Sequence, residues 1–269
     1  MIIDFHTHIF PERIAEKTIS LLSEKGGIPP FSDGTADGLL KKMAESGVDV
    51  CVTLPVMTSP SQFDSINRFA LEINERFAHS KQRLISFAGI HPACEDIEQK
   101  MEFIKQNGFI GIKLHPDYQG TFIDDDAYVR IVREAARLDL VVVTHSGVDG
   151  AYRDMPVRCT PKRALELIKK APHSKLVLAH CGANMMFDDV LEMLCGSDVY
   201  FDTAYVLRFI GKDTFLKMLQ KHGADRILFA SDSPWSDMCG DVDIINSFGL
   251  DKITKKKIFC ENAQALLGI

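Results

Sequence analysis

Histidine and aspartate side chains stand at the ends of four short apolar segments of this 269-residue chain. The first segment ends in His6 and His8, two later ones end in His145 and His180, and another ends in Asp232. Imidazole nitrogens and carboxylate oxygens are ligands that borderline divalent metals prefer. If these side chains meet at one point, the sequence predicts a metal centre that binds one or two divalent ions, with zinc as the expected ion.

Each of these residues also has an ordinary explanation. A single histidine at a strand end is commonly a hydrogen-bonded polar group, and an aspartate before Ser-Pro, like Asp232, is commonly a helix N-cap. These explanations would have to hold together at four segment ends. A shared site explains all four at once, and we therefore favour it.

The segments that carry these residues belong to a regular series of eight apolar runs. Near-continuous apolar runs are typical of parallel strands that are buried on both faces. The predicted strands are Ile2–Phe5, Val48–Leu54, Leu84–Ile90, Phe109–Leu114, Leu140–Thr144, Lys175–Ala179, Val199–Asp202 and Arg226–Ala230.

Amphipathic segments lie between the apolar runs. Residues 61–79 and 124–138 carry apolar side chains at helical spacing, and Gly47, Gly108 and Gly223 stand where helices are expected to end. Eight strand–helix units in about 250 residues predict a (β/α)8 TIM barrel of the metal-dependent hydrolase type. A doubly wound open sheet is the rival fold, but no GxGxxG motif follows the first run.

The barrel is expected to form one domain over residues 1–269 and to gather the strand ends at one mouth. His6 and His8 are two residues apart, so both can face the same point from one strand. The Gly/Pro-rich segment 26–38 is predicted to lie over the mouth. Residues from Asp237 onward are predicted to form closing helices.

Five further histidines receive no role as ligands. His79, His173 and His222 fall in helix-to-loop regions and are predicted to lie on the surface. His91 and His115 each precede a proline, at the ends of the third and fourth strands, and receive no ligand role although their positions allow them to line the mouth.

The charge and composition of the chain indicate which classes of binding partner to expect. The net charge is -6, the only basic cluster is 255–257, and no apolar stretch approaches the roughly 18 residues of a membrane span. The start of the chain lacks the pattern of a signal peptide, and the seven cysteines are scattered without a CxxC pair. We expect a cytoplasmic protein with a small-molecule substrate and neither nucleic acid nor membrane as partner. Homo-oligomer formation stays open.

Five segments together resemble the amidohydrolase superfamily, in the branch that also contains the aminocarboxymuconate semialdehyde decarboxylase-like enzymes. The order and spacing of the segments make the resemblance specific, and it covers essentially the whole chain. They are DFHTH (4–8), GIKLHP (111–116), VVVTHSG (141–147), LAHCG (178–182) and FASDSPW (229–235).

The resemblance implies a role for each matching residue. The first-strand pair of the family falls on His6 and His8, its fifth-strand ligand on His145, its sixth-strand histidine on His180 and its eighth-strand aspartate on Asp232. In that family the aspartate also transfers a proton beside the metal-bound water.

Lys113 of GIKLHP has two interpretations. It could pair with an acid or bind substrate at its strand end. Alternatively, it corresponds to the carboxylated lysine that bridges two metals in dihydroorotase-like relatives, a residue that the decarboxylase-like relatives generally lack. With that bridge, His145 and His180 would bind a second metal, and His6, His8 and Asp232 the first.

Loop residues are the candidates for substrate binding. Tyr118, Arg153 and Arg208 fall after the fourth, fifth and seventh strands, at the catalytic face of a barrel. An arginine there could clamp a carboxylate with two hydrogen bonds. Asn184 and Trp235 are expected to line the pocket.

Three functions fit this site. The first is hydrolysis of an amide, ester or lactone of a small molecule, in which metal lowers the pKa of bound water and Asp232 moves the proton while His180 polarises the carbonyl. The second is non-oxidative decarboxylation of a small unsaturated or aromatic carboxylic acid, with nearly the same ligands. The third is a non-catalytic metal-binding barrel, which an intact Asp232 argues against.

Overall fold

The computed structural model describes residues 1–269 and contains eight parallel strands that close into a TIM barrel. All eight predicted runs are confirmed, although most of the strands are shorter than predicted. The strands are β1 (Ile3–Thr7), β2 (Val50–Thr53), β3 (Arg83–Ser86, continued by Ala88–Gly89), β4 (Gly111–Leu114), β5 (Val141–Thr144), β6 (Leu176–Leu178), β7 (Tyr200–Asp202) and β8 (Ile227–Leu228).

Hydrogen bonds join each strand to the next and the last to the first. Phe87 interrupts β3, but its N–H still donates to the Thr53 carbonyl of β2 at 2.9 Å. On the closing side, the Phe5 N–H donates to the Phe229 carbonyl at 2.9 Å, and Thr7 pairs with Ser233. The C-terminal strand ends therefore surround one mouth, as predicted.

Helices fill the connections between the strands. Predicted helices 61–79 and 124–138 are confirmed as α3 and α6 with shorter ends, and Gly47 ends α2 in the left-handed conformation. The α-helices are α1 (Glu12–Gly26), α2 (Ala36–Ser46), α3 (Phe63–Phe77), α4 (Ile97–Gln106), α5 (Pro116–Gln119), α6 (Asp126–Arg137), α7 (Pro161–Lys170), α8 (Phe187–Met193), α9 (Leu207–Ile210), α10 (Lys212–His222), α11 (Met238–Ser247), α12 (Lys252–Lys256) and α13 (Asn262–Leu267). None of them combines the length and the apolar composition needed to cross a bilayer.

The strands are buried on both faces, and this explains their uninterrupted apolar sequences. In β5, Val141 and Val143 belong to the core inside the barrel, whereas Val142 belongs to the core between the sheet and the helices. This alternation continues past the strand end. It places His145 on the inner side, where it lines the cavity at the mouth.

A bulge in β1 changes this alternation near the mouth. The pairing of β1 with β2 shifts register between Asp4 and Thr7. Phe5 packs in the inner core, yet His6 and His8 both line the cavity. In an undistorted strand, the side chains of Phe5 and His6 would point to opposite faces. The bulge therefore allows both side chains to point to the inside of the barrel.

His222 at the end of α10 is a buried structural residue, and the prediction of a surface position for it is wrong. Its ring stacks on Phe201 with centroids 3.9 Å apart. Nδ1 accepts a hydrogen bond from the Gly196 N–H, and Nε2 donates to the Val199 carbonyl. Burial lowers its pKa from 6.5 to about 4, because the charged form loses solvation.

This histidine should make stability depend on pH. The unfolded chain, with a pKa of 6.5 at this residue, binds more protons than the folded chain between pH 6.5 and pH 4. Lowering the pH through this window should therefore cost the wild type up to about 3 kcal/mol at this residue. We expect the difference in unfolding free energy between wild type and His222→Gln to shrink over this window in urea titrations. The exposed His79→Gln should show no such trend, and a pH-independent difference for His222→Gln would contradict the assignment.

Candidate metal centre

The side chains of His6, His8 and Asp232 converge at the mouth of the barrel. The Nε2 atoms of the two histidines lie 3.2 Å apart. Asp232 Oδ1 lies 3.1 Å from His8 Nε2 and 3.6 Å from His6 Nε2. The sequence analysis predicted that the side chains at the ends of the first and eighth strands would lie close together.

Hydrogen bonds on the far side of each imidazole fix which nitrogen carries the proton. His6 Nδ1 lies 2.9 Å from the Asp202 carboxylate, and His8 Nδ1 lies 2.7 Å from the Leu54 carbonyl. Both partners can only accept, so Nδ1 donates in each ring, and the neutral ring then has its lone pair at Nε2. Two lone pairs and the Asp232 carboxylate thus face one another, and a cation among them would stabilise this arrangement. The donor set therefore fits a divalent metal.

Asp202 at the end of β7 supports this arrangement and was missed in the sequence analysis. Its Oδ1 accepts from the backbone N–H groups of His180 and Ala204, at 2.8 Å and 3.1 Å, while Oδ2 accepts from His6. The residue is fully buried, and burial raises its pKa. One signal was available: the apolar run 199–202 ends in an aspartate at the same face as the predicted ligands.

We expect Asp202→Asn to weaken metal binding about 10–100-fold while preserving the fold. The amide oxygen would keep the two backbone N–H groups, and the amide NH2 would then point a donor at His6 Nδ1. His6 would have to carry its proton on Nε2, which removes the lone pair that the metal needs. Competition with a chromogenic chelator measures the affinity, and Asp213→Asn on the exposed side of α10 is the control. Equal affinity in both variants would contradict this role for Asp202.

His145 and His180 form a second pair beside the first cluster. His145 Nδ1 lies 2.9 Å from His180 Nε2, and His180 Nδ1 bonds the Ala204 carbonyl. His145 Nε2 is buried without a hydrogen-bond partner and faces Asp117 Oδ2 at 3.9 Å. Burial lowers the pKa of His145, which keeps the ring neutral and able to bind a metal. The four predicted histidines are therefore brought to one mouth.

Lys113 is buried on β4 and lies against the first cluster. Its Nζ is 2.9 Å from His6 Nε2. Burial lowers its pKa to about 8, so its neutral fraction near neutral pH is larger than that of an exposed lysine. Its hydrogen-bond partner is His6, whereas His145 and His180 bond each other.

Two of the predicted site residues have left-handed backbone conformations. His180 has a φ of 62° and Asp232 a φ of 68°. Such conformations cost a non-glycine residue about 1–3 kcal/mol, and they persist where the surrounding structure holds them. At Asp232 the N–H donates to the His6 carbonyl at 2.8 Å, which ties the strained residue to the strand of its metal-site neighbours.

A cavity of about 440 Å³ opens above these side chains. Tyr118, Asn184 and Trp235 line it, as expected for pocket residues. Arg153 and Arg208 lie outside the lining residues. Arg153 donates to the Gly26 carbonyl at 3.4 Å, and Arg208 donates to Ser236 Oγ at 2.8 Å.

His115, which received no role from the sequence, also lines this cavity. Its ring stacks on His145 with centroids 4.3 Å apart and planes 10° apart. Its Nε2 lies 3.3 Å from Asp149 Oδ2. One ligand atom each of His115, His145 and Asp149 lies within 4.8 Å of the other two, so these residues form a second group that could hold a metal ion.

Comparison with known proteins places the chain among metal-dependent enzymes. The model of the Amidohydrolase family matches residues 3–269. In sequence, a 74-residue stretch is 36% identical to the 3-(aryl)acrylate reductase of Clostridium sporogenes (strain ATCC 15579). That match covers 25% of this chain and only 18% of the reductase, so it carries no conclusion about the whole protein.

Solved structures of similar fold include enzymes of two reaction types. One is the 5-carboxyvanillate decarboxylase of Novosphingobium aromaticivorans DSM 12444, in complex with manganese and 4-hydroxy-3-methoxy-5-nitrobenzoic acid, with a TM-score of 0.72 and 16% identity over 100% of this chain and 96% of that chain. Another is a probable 2-pyrone-4,6-dicarboxylic acid hydrolase of Acinetobacter baumannii, with a TM-score of 0.70 and 16% identity over 100% of this chain and 99% of that chain. At these identities the likeness shows the shared fold. The metal in the first structure is manganese, and zinc in this chain stays a prediction.

Proposed function

Because the chain belongs to the amidohydrolase family, we propose that it is a metal-dependent decarboxylase that releases CO2 from an unsaturated or aromatic carboxylic acid. Residues 1–269 would act as one domain. The observation that carries the proposal is the convergence of His6, His8 and Asp232 below a cavity with largely apolar walls. An apolar cavity favours loss of a carboxylate, because the charge becomes more dispersed as the C–C bond breaks. Similarity to decarboxylases of this fold adds support.

In this proposal His6, His8, His145 and Asp232 would hold one divalent metal. When bound, that ion would fix the substrate and withdraw electrons from the group next to the breaking bond. The electron pair of the C–C bond stays on the substrate carbon, which then needs a proton. Asp232 and His180 are the proposed donors. His180 Nδ1 donates to the Ala204 carbonyl, so the proton that His180 transfers would be a second proton, held at Nε2.

A panel of substrates tests the reaction type. Metal-loaded protein is incubated with 13C-carboxyl-labelled unsaturated and aromatic acids, and in parallel with lactones and esters. We expect labelled CO2 and bicarbonate in the NMR spectrum with at least one acid. Hydrolysis of a lactone or ester without CO2 from any acid would overturn the proposal.

Hydrolysis, the function that the sequence analysis put first, becomes the second candidate. One observation favours it: Lys113 is buried with a pKa of about 8, and a neutral amine is the form that adds CO2 to become a bridging carbamate. Against a bridge, the Lys113 amine bonds His6 rather than the His145–His180 pair.

The number of metal ions bound per chain distinguishes the decarboxylase from the hydrolase. We expect one metal per chain in bicarbonate buffer for both wild type and Lys113→Met, which preserves side-chain length without the amine. Elemental analysis after gel filtration gives the stoichiometry and the identity of the ion. Two metals in the wild type and one in Lys113→Met would support the bridged hydrolase instead.

A further inference from the structure

The cavity above the candidate metal centre is larger than one small ring requires. Its volume is about 440 Å³. A buried apolar cavity of roughly 150 Å³ is enough to take up a benzene molecule. The space next to the candidate metal centre is therefore about three times that size.

The metal-type side chains of the cavity lining and its large apolar side chains come from different elements of the fold. Strand ends supply the floor, with the histidines, Lys113 and Asp232. Two walls come from the connections after β1 and β2, through α1 and the start of α3. The apolar residues of these walls include Ile14 and Leu22 on α1 and Ile66 and Phe69 on α3.

One stripe of α1 faces the cavity. Ile14, Thr18 and Leu22 line it and are spaced four residues apart, which places them on one face of a helix. Leu21 is next to Leu22 but does not line the cavity, and 55% of its surface is exposed. The chain thus offers two adjacent leucines of one helix, one inside the cavity and one outside it.

We propose that the substrate is a carboxylic acid whose apolar body is larger than a single aromatic ring and lies against α1 and α3. The acid end faces the candidate metal centre, and the body fills the apolar walls. The identity of the acid group rests on the proposed function, whereas the size of the body rests on the cavity itself.

Trp235 gives a direct measure of binding that does not depend on turnover. It is the single tryptophan of the chain and lines the cavity. Zinc-loaded protein is titrated with benzoate and with biphenyl-4-carboxylate, and the quenching of Trp235 emission is followed. We expect biphenyl-4-carboxylate to bind at least about tenfold more tightly, because a second ring leaves water.

Paired leucine variants locate the second ring. Leu22→Ser should reduce the preference for biphenyl-4-carboxylate over benzoate about fivefold, and Leu21→Ser should leave it unchanged. If Leu22→Ser does not fold, as judged by its melting curve, Ile14→Ser takes its place. Equal affinity of the two acids, no binding of either, or equal effects of the two leucine variants would overturn the proposal.

The experiments distinguish an error in the proposed reaction from an error in the proposed size of the substrate. Tight binding of biphenyl-4-carboxylate without CO2 release from any acid would support the size assignment and count against decarboxylation. CO2 release from single-ring acids, with no preference for the larger acid in binding, would overturn the size assignment and leave decarboxylation standing.

Discussion

Removing the bound metal with a chelator is expected to lower activity at least about 10³-fold and to lower the melting temperature by about 10 °C. The loss of activity follows from the several kcal/mol of transition-state stabilisation that a metal supplies. The loss of stability has a separate cause. Without the metal, the His6 and His8 lone pairs and the Asp232 carboxylate lie 3.1–3.6 Å apart, and the Lys113 amine, 2.9 Å from His6 Nε2, offsets only part of their repulsion.

The size of the thermal shift can be estimated from mass action. A ligand present at a thousand times its dissociation constant stabilises the folded state by about 4 kcal/mol, and 1 kcal/mol shifts the melting temperature of a chain of this size by about 2–4 °C. Differential scanning calorimetry of chelated protein, before and after metal is returned, measures both the loss and its reversal.

Two histidine variants make this prediction specific. His8→Ala should show little thermal response to metal, since one of the converging nitrogens is gone. His79→Gln, at an exposed position away from the mouth, should respond like the wild type. If chelation changed neither the melting temperature nor the activity of the wild type, the assignment of a metal centre would be wrong.

Asp232→Asn is expected to lower activity about 10²–10⁴-fold with the fold retained. The amide keeps the shape and one oxygen of the side chain but cannot exchange a proton with the substrate. Asparagine also tolerates the left-handed backbone at this position, where φ is 68°, better than most residues do. The variant should therefore report on proton transfer and charge rather than on backbone strain.

Kinetics and metal content together test this assignment. We expect kcat to fall with metal occupancy largely preserved, since His6, His8 and His145 remain. Asp243→Asn, on the exposed side of α11, is the matched control and should behave like the wild type. Near wild-type turnover of Asp232→Asn at full metal occupancy would exclude Asp232 as the proton-transfer group.

The barrel itself was largely predictable from the sequence. Strands such as β5 are buried on both faces, so their apolar runs stand out without any knowledge of the tertiary structure. Parallel strands in a barrel have a fixed direction, and residues that follow them must reach one mouth. For this reason His6, His8, His145, His180 and Asp232 could be grouped before any distance was known.

The acidic partners of the metal-site histidines were not identified from the sequence. Asp202 and Asp117 look like ordinary polar residues until the fold brings one to His6 Nδ1 and the other towards His145 Nε2. His222 was misjudged for the same reason. Its position at a helix end suggested exposure, whereas the backbone groups that bond it belong to the loop after α8.

The sequence by itself determined the fold class, the set of metal-type residues and the family, because these depend on local periodicity and on residue type. The tertiary structure decided which nitrogens face the metal position, that the arginines at 153 and 208 lie outside the cavity lining, and that the β1 bulge turns Phe5 and His6 to the same side. It also decided the volume and the apolar walls of the cavity. These properties arise from contacts between residues far apart in the chain, which no local pattern encodes.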